Sequence, residues 1–502
     1  MKRLFICCDG TWNTATDVDD GVPTPTNVFK FYSALAESDA QGNAQEKYYH
    51  AGVGTSGGAL SKVLGGVTGT GLSLNIKACY YWISQHYQVN DHLYLIGFSR
   101  GAYTARSLAG LIAYSGIPPK GSEWPTIEKA FQGYREKRRF FQAPIKQDFV
   151  RPEIDFVGVW DTVGSLGIPE RVKVFATNFD QATAHRNEFH DTTLSPLVKN
   201  AFHAVAADEL REDFQPTLWT SAPAPEQTLE QVYFPGVHAD IGGGYQESEL
   251  SNISLAWMID KAQSCGAQFC PKLISQIKNE KNYQGILHDS YVGKFKLSRT
   301  LPRNLPNLSL PSALVHESVR SRMKDPPIYQ APYRKPHQQL GQRKLPVEVY
   351  ARRRWNPTGI YLDKGCYQFK AQGQWLDGKA KCGPEGHKRY RLEALGLRTK
   401  RQAEFSWMEL IGCITNGDLL TQSHSMGFKK LEDMHQHFPA WDHIVHVTSP
   451  GYLYFYANDA WSDYEDNSGS LIVTIETLPE ESCHGGSHVA TYGSRNSSTP
   501  PQ

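Results

Sequence analysis

The sequence predicts an α/β domain, in which a mostly parallel sheet carries helices on both faces, followed by an all-β sandwich. Short apolar strands alternate with helical patterns in the first part of the chain. From Val347 to Leu478, strand-like segments follow one another with only turn residues between them. Between the two parts, Leu301–Leu345 is rich in proline and basic residues, which is typical of a connector or an extended segment over the core.

Four segments of the first part are predicted strands, because each is short, rich in β-branched or aromatic residues and followed by a turn signal. They are RLFICCDG from Arg3, HLYLIGFS from His92, EIDFVGVWDTVG from Glu153 and QVYFPGVHADIGGG from Gln231. Helical patterns at Asn27–Ser38 and Leu74–Tyr87 separate the first two strands, which favours a parallel sheet covered on both faces. We therefore expect a functional site at the carboxyl edge of that sheet.

Composition argues against a nucleic-acid partner. The 502 residues carry a net charge of +1, and 21 % of them are charged, so no basic surface is indicated. No apolar run approaches the length that spans a bilayer, and Leu4–Cys8 is too short for a signal-peptide core. We expect synthesis in the cytoplasm, and export by a route without a cleaved signal stays open. The nine scattered cysteines lack zinc-type spacings and are expected to be reduced thiols.

Gly97-Phe98-Ser99-Arg100-Gly101 places a serine between two glycines at the corner between a strand and a helix. This G-x-S-x-G pattern is typical of a nucleophile whose hydroxyl stands clear of the sheet on a strained turn. The amide of Arg100 is then placed to stabilise an oxyanion. The alternative is an ordinary tight turn.

A nucleophilic serine needs a base, and the base needs an orienting carboxylate. Asp161 and His238 follow two of the predicted strands in the chain order Ser, Asp, His that is typical of α/β-hydrolases. His203 and His316 are rival bases, ranked lower because both lie in helical or connector-like sequence. Asp240 is a second candidate to orient His238, or to bind a polar substrate group. A helix cap for Asp161 and a structural role for His238 are the alternatives.

Glycine-rich segments offer two further predictions. Gly10 and Thr11 follow the first strand, and one of their amides is the predicted second oxyanion donor, with a plain turn as the alternative. Gly52–Leu72 lacks the lysine of a phosphate-binding loop. It is predicted to be a mobile loop over an apolar acyl pocket, or equally a close-packed helix.

CCDGTWN, TNV, IGFSRGAYTAR, VGVWDTVGS and FPGVHADIGGGY follow one another within roughly the first 330 residues. This series resembles the type VI secretion phospholipase effectors of the first type and their uncharacterised relatives. The resemblance implies an α/β-hydrolase fold and cleavage of glycerophospholipid acyl esters. It also implies a triad of Ser99 as nucleophile, Asp161 and His238, and delivery of bacterial members into rival cells.

ANDAWSDYEDNSGSLIVTIE, with YARRRWNPTGIYLDKGCYQFKAQGQW and KCGPEG before it, resembles the galactophilic PA-IL-type lectins. The first of these segments is dense in oxygen ligands, which suits Ca²⁺; the alternative is a solvated acidic turn. The resemblance places Asp459, Asp466 and Asn467 at ligand positions, puts Asp463 where the lectins carry threonine, and gives Asp377 a backbone carbonyl ligand. Tyr390 stands where the lectins carry a sugar-contacting histidine, and His387 is out of register, so a glycan, a lipid head group or a protein are all open as the ligand.

The predicted organisation is a hydrolase at residues 1–345, a lectin-like sandwich at 346–478 and a disordered tail at 479–502. The predicted function is a serine esterase acting on phospholipid at a membrane surface, with calcium in the sandwich and no cofactor for the catalytic step. A glycan ligand and a secretion-apparatus or immunity protein are the further partners expected. The alternatives are a hydrolase of soluble or glycan-linked esters and a catalytically silent carbohydrate-binding protein.

Overall fold

The computed structural model divides the chain into two compact units. The first contains the described residues of 1–209, 213–290 and 313–327, and the second contains those of 210–212, 291–312 and 328 onward. The structure describes residues 1–10, 18–19, 21–52, 69–136, 148–163, 193–297, 299–341, 344–387, 400–416, 435–483 and 489–490. Within these residues, no helix has the length and apolar character that a bilayer crossing requires.

The first unit is built on a six-stranded sheet in the order β4-β1-β5-β6-β7-β8. Every neighbouring pair in it is parallel, which confirms the predicted α/β class. The strands of this unit, including the short β2–β3 hairpin outside the sheet, are β1 (Arg3–Cys8), β2 (Val18–Asp19), β3 (Val22–Pro23), β4 (Gln45–His50), β5 (His92–Phe98), β6 (Phe156–Trp160), β7 (Asn200–Ala206) and β8 (Thr228–Phe234).

Helices cover both faces of this sheet, because alternate residues of its buried strands are apolar on opposite sides. In β1, Leu4 and Ile6 pack in a core with Tyr80 and Leu108, whereas Phe5 packs on the other face. The described helices of the unit are α1 (Asn27–Ala34), α2 (Gly69–His86), α3 (Arg100–Ser115), α4 (Trp124–Glu136), α5 (His238–Gly242), α6 (Glu249–Ser264), α7 (Pro271–Glu280) and α8 (Glu317–Lys324). A 3₁₀ turn at Glu212–Phe214 begins in a residue of the second unit and ends in the first.

The second unit contains two sheets, in the orders β10-β16-β13-β14 and β18-β15-β11-β17-β9, with β12 paired to β11. Apolar residues of both sheets share one core, which confirms the predicted all-β module. Its strands are β9 (Leu345–Tyr350), β10 (Asn356–Leu362), β11 (Gly365–Asp377), β12 (Ala380–Cys382), β13 (Leu410–Asn416), β14 (His435–Pro439), β15 (His443–Val447), β16 (Gly451–Ala457), β17 (Asn467–Leu478) and β18 (Val489–Ala490). Its 3₁₀ turns are Gly293–Leu297, Ile328–Gln330 and Glu480–Cys483.

Two predictions about the ends of the domains are corrected. The connector at residues 301–345 was predicted to belong wholly to the hydrolase, but residues 301–312 and the described residues of 328–345 belong to the second unit. The tail was predicted to be disordered from residue 479. Instead, Cys483 forms a disulfide with Cys366 of β11, and β18 pairs with β15. The disulfide also overturns the expectation that all nine cysteines are reduced.

Candidate active site

Ser99 lies on the sharp corner between β5 and α3 that its motif predicts. Its φ is +56°, a region that non-glycine residues rarely adopt. The two flanking glycines leave no room for a side chain. A Cβ on Gly97 would lie 2.3 Å from the carbonyl oxygen of Gly101, and a Cβ on Gly101 would lie 2.1 Å from that of Cys8. The glycines therefore permit the close backbone approach that the corner needs.

The loop after β1 packs directly against this corner, because Gly101 also faces the carbonyl oxygen of Asp9. Asp9 is 2 % exposed. Its Oδ2 atom accepts hydrogen bonds from the hydroxyl groups of Thr26, at 2.7 Å, and Tyr49, at 2.6 Å. Its Oδ1 accepts the amide of Gly10 at 2.7 Å. The Gly10 amide thus has a partner within its own loop, so its role as an oxyanion donor stays a prediction.

Two predicted features of the glycine-rich loops lie wholly or partly outside the described residues. Thr11, the other predicted oxyanion donor, lies outside the described residues, as do residues 53–68 of the predicted loop Gly52–Leu72. The last residues of that loop begin helix α2 at Gly69.

Asp161 and His238 are brought into direct contact, although 76 residues separate them in the sequence. The Asp161 Oδ2 atom is 2.6 Å from His238 Nδ1. The other carboxylate oxygen, Oδ1, accepts the amide of Ala206 at 3.0 Å, and Asp161 has no measurable exposure. The carboxylate is therefore fixed by the sheet edge and bound to one ring nitrogen, which leaves His238 Nε2 as the nitrogen that can act on a substrate.

The backbone ties Ser99 to the strand end that carries Asp161. The amide of Ser99 donates to the carbonyl of Trp160 at 3.0 Å, and Asp161 follows Trp160 at once. Because β5 and β6 are parallel neighbours with Phe98 opposite Trp160, both residues lie at the same carboxyl edge. The structure thus places the nucleophile candidate and the carboxylate side by side, as the strand pattern predicts.

Aromatic rings fix the position of His238. Its ring lies 4.6 Å from the ring of Phe98 and 4.9 Å from that of Phe214, measured between centroids. Helix α5 begins at His238 and packs against Phe98, where a Cβ on Gly242 would lie 2.0 Å from the ring. Since Phe98 immediately precedes Ser99, this packing brings the base candidate to the nucleophile corner.

Arg100 opens helix α3, directly after Ser99. Burial lowers the pKa of its guanidinium to about 10, so the group keeps its charge at neutral pH. The positive end of the helix points toward the same corner. This helix end favours a negative charge on a substrate oxygen near Ser99.

The rival histidines have structural roles. His203 was predicted to lie in helical sequence, but it lies in β7, where Nε2 accepts the amide of Thr162 at 3.0 Å and Nδ1 is 3.3 Å from Gln231 Oε1. His316 caps helix α8, and burial lowers its pKa to about 4.

Three acidic or histidine residues near His238 were not predicted to be functional or were predicted to have another role. They are Glu209, Asp240 and His288. Glu209 is fully buried, and its Oε2 lies 3.3 Å from the amide of His238. Asp240 binds the side chain of His288 and the amide of Val237. The one available signal was the place of Asp240, two residues after His238. Glu209 and His288 carry no local signal, because folding alone brings them to this turn.

In the second unit, one carboxylate oxygen from each of Asp377, Asp459 and Asp466 lies within 4.8 Å of the others. Asn467 sits opposite Asp377 in the β11–β17 ladder. Its Nδ2 donates to Asp459 at 2.9 Å, while its Oδ1 is buried without a hydrogen-bond partner among the described residues.

These contacts alter two of the predicted calcium ligands. Asp377 contributes its side chain to the group, rather than only the predicted backbone carbonyl. Asp463 lies outside the group and accepts the hydroxyl of Ser462 at 2.8 Å. His387, out of register with the lectin histidine, has Nε2 at 3.3 Å from Asp377 Oδ2. Tyr390 lies outside the described residues.

The first unit thus has a parallel α/β sheet with a serine corner and a histidine–carboxylate pair at its carboxyl edge, which is the arrangement of an α/β-hydrolase-like domain. The chain belongs to the Tle1-like phospholipase effectors of the type VI secretion system, whose catalytic-domain model matches residues 2–261. This match confirms the family resemblance of the first part of the sequence.

Other proteins match parts of the chain. The uncharacterized protein YEL023C of Saccharomyces cerevisiae is 27 % identical over 259 residues, covering 46 % of this chain and 35 % of its own length. The Tle1 effector bound to the VgrG spike is 20 % identical, covering 49 % of this chain and 51 % of that one, with a TM-score of 0.31. A PllA-like lectin, the EclA N-terminal domain, is 17 % identical, covering 27 % of this chain and 98 % of that one, with a TM-score of 0.17. The chain therefore spans about a third of the length of its curated relative.

Proposed function

We propose that the first unit is a serine esterase that cleaves acyl esters of glycerophospholipids with Ser99, His238 and Asp161. The observation that carries the proposal is the 2.6 Å contact between His238 Nδ1 and Asp161 Oδ2, at the sheet edge where Ser99 occupies a strained corner. A buried histidine–carboxylate pair at the same sheet edge as a serine on a strained strand-to-helix turn suits acyl transfer better than a role in structure alone. Membership of a phospholipase family supports a lipid ester as the substrate.

The chemistry follows from the placement of each group. His238 Nε2 accepts the proton of the Ser99 hydroxyl as its oxygen attacks the ester carbonyl carbon. The resulting oxyanion accepts the amide of Arg100 and a second donor from the Gly10–Thr11 loop. The imidazolium then gives its proton to the leaving alcohol, which forms an acyl-enzyme and frees the lysolipid. Water, activated by the same nitrogen, hydrolyses the acyl-enzyme and restores Ser99.

The test compares the full chain with Ser99→Ala on phospholipid vesicles and on short p-nitrophenyl esters. We expect wild type to release fatty acid from vesicles, detected by mass spectrometry of the lipid products, and the variant to lose the activity without unfolding. Hydrolysis of soluble esters alone would support the alternative substrate class. A folded wild-type chain that a fluorophosphonate fails to label would instead favour a catalytically silent binding protein.

For the second unit we propose a calcium-dependent targeting role. The carboxylates of Asp377, Asp459 and Asp466 are close enough to share one ion, because two oxygens on the same Ca²⁺ lie at most about 5 Å apart. The Asn467 Oδ1 atom, which has no hydrogen-bond partner within the described part of the chain, is a further hard ligand. Calcium there would order the loop before β17, and binding of a glycan or lipid head group would raise the local concentration of substrate.

The proposed partners follow from the family. Tle1-like effectors belong to a secretion system, so we propose that a component of that apparatus and an immunity protein bind this chain. Co-purification of the tagged full chain with the apparatus components of its own host tests the first partner. Absence of secretion-dependent release into the medium would count against it.

A further inference from the structure

His288 lies outside the proposed triad, yet it contacts the turn that carries His238. Its Nδ1 is 2.6 Å from Asp240 Oδ1, and its Nε2 is 3.2 Å from Glu247 Oε2. Its ring stacks on that of Tyr245, with the centroids 3.8 Å apart. Two carboxylates therefore face the two ring nitrogens, and only the imidazolium form can donate a hydrogen bond to both.

Asp240 connects this histidine to the turn. Its Oδ2 accepts the amide of Val237 at 3.0 Å and the amide of His288 at 3.2 Å. Val237 precedes His238 and caps helix α5. Asp240 is 1 % exposed, and a Cβ on Gly236 would lie only 2.4 Å from its Cβ. One buried carboxylate thus joins the loop of His288 to the segment that fixes the His238 ring.

The charges around His288 favour its protonated form. Burial opposes the charge, but the hydrogen bonds and charges of Asp240 and Glu247 outweigh burial and raise the pKa of His288. The pKa of Glu247 is lowered, first by a hydrogen bond from its own backbone and then by His288. The charge on His288 is therefore present at low pH and is lost as the pH rises through its raised pKa.

The other acidic groups at this turn have different partners. Glu209 Oε1 accepts the hydroxyl of Ser290 at 3.0 Å, and its Oε2 lies 3.3 Å from the amide of His238. Asp208 Oδ2 accepts the amide of Gly236 at 2.7 Å. Asp289, next to His288, is exposed. The bridge from Glu247 through His288 to Asp240 is thus distinct from these contacts.

We propose that His288 is a positioning residue for the catalytic base: as an imidazolium between Asp240 and Glu247, it holds the turn at Val237 and His238 in its active geometry. The inference rests on the proposed esterase function, since it assigns His288 to the same site. When His288 loses its proton, a nitrogen lone pair faces a carboxylate, the bridge weakens and the turn loosens.

Hydrogen exchange of the full chain tests the turn without any catalysis. At a pH below the His288 transition, His288→Gln should raise the exchange rates of the Val237 and His238 amides severalfold, relative to the amides of β1. His288→Arg should restore protection, because a guanidinium keeps the charge and can donate to both carboxylates. Asp260→Asn, which breaks the exposed ion pair with Lys278, is the matched control. Unchanged exchange in His288→Gln overturns the proposal.

The pH dependence of Ser99 labelling by a fluorophosphonate tests the consequence for reactivity. The rate should fall about tenfold as the pH rises through the raised pKa of His288, since small displacements of a catalytic group are costly. Glu247→Gln removes a group that raises the pKa of His288, so the descending limb should move to lower pH.

Failure of the proposed esterase function and failure of the proposed role of His288 give different results. A wild-type chain that is never labelled overturns the esterase function, and the exchange experiment still decides the role of His288 in the turn. A labelled wild type whose descending limb stays in place in Glu247→Gln overturns the positioning role, because a purely structural histidine would leave the limb unmoved.

Discussion

At the candidate active site, the two oxygens of a single carboxylate bind different partners. One oxygen of Asp161 accepts a backbone amide of the sheet edge, and the other binds His238. Asp240 likewise divides its oxygens between a backbone amide and His288. Each buried carboxylate thus fixes both a segment of backbone and a histidine ring, because an ionised carboxyl group offers two acceptor atoms.

Asp161→Asn separates these two roles. The amide oxygen can still accept the Ala206 amide, so the fold should survive, but the side chain no longer stabilises a charged His238 ring. In a serine protease, the same change of the triad aspartate lowers kcat by about 10⁴-fold. We expect Asp161→Asn to lower kcat by about 10³–10⁴-fold. The measurement is kcat on the ester that wild type hydrolyses best, with circular dichroism as the check on folding.

Asp155→Asn is the matched control, because Asp155 contacts His92 at 3.0 Å near the amino ends of β5 and β6. It should retain activity within about twofold, because Asp155 lies at the opposite end of these strands from Ser99 and an amide oxygen can still accept the hydrogen bond from the Leu93 amide. If kcat fell by a similar factor in Asp161→Asn and Asp155→Asn, the loss would be due to a disturbed sheet and not to a disturbed triad.

At the scale of elements, the junction of β1, β5 and α3 depends on glycines rather than on side-chain contacts. Gly101→Ala would bring a methyl group to 2.1 Å and 2.5 Å from the carbonyl oxygens of Cys8 and Asp9. Since backbone atoms cannot move aside cheaply, we expect a loss of stability of about 1–3 kcal/mol and a larger loss of Ser99 labelling. Thermal unfolding and labelling rates measure the two effects.

Gly133→Ala provides the comparison inside helix α4. Its added Cβ meets only the Tyr114 ring, at 3.5 Å, which is an ordinary contact. Alanine is the better helix former, so stability should stay the same or rise by about 0.5–1 kcal/mol. Destabilisation by both variants alike would show that the close approach at Gly101 is not the cause.

The strands that could be predicted from the sequence are those with a continuous apolar pattern. β1, β5, β6 and β8 are apolar runs that end in turn residues, so both the strands and the site at their ends were predictable. β7 was missed because AFHAVAADE is rich in alanine and reads as helix, and β4 because QEKYYH is polar, as suits a strand at the sheet edge. Helix α5 was read as the end of a strand, since five residues give no helical period.

At the scale of the whole molecule, long-range pairings limited the prediction. Cys483 lies 117 residues from Cys366, and the small polar residues after it resemble a disordered tail. Likewise, the chain passes from one unit to the other more than once between residues 209 and 328, which composition does not reveal. The contact of Asp161 with His238 was predictable only because parallel strands bring their carboxyl ends to one edge.

Calcium should couple to the stability of the second unit through Asp459. Burial, aided by the charges of Asp377 and Asp463, raises the pKa of Asp459 from 3.8 to about 6, although hydrogen bonds from Asn467 and Ala460 oppose the shift. Between these values the folded chain binds the extra proton. Without metal, its stability therefore falls as the pH rises from about 4 to about 6, by about 3 kcal/mol.

Ca²⁺ binds the ionised carboxylate, so its effect should have the opposite pH dependence. We expect excess Ca²⁺ to raise the Tm of the second unit strongly at pH 7.5 and little at pH 5, because protons compete for Asp459. Asp459→Asn should abolish the calcium effect and make the metal-free unit more stable than wild type at pH 7.5. Asp442→Asn, an exposed acidic residue of the same unit, should behave as wild type. A calcium shift that survives in Asp459→Asn would place the ion elsewhere, and equal Tm values with and without Ca²⁺ at pH 7.5 would remove the proposed site altogether.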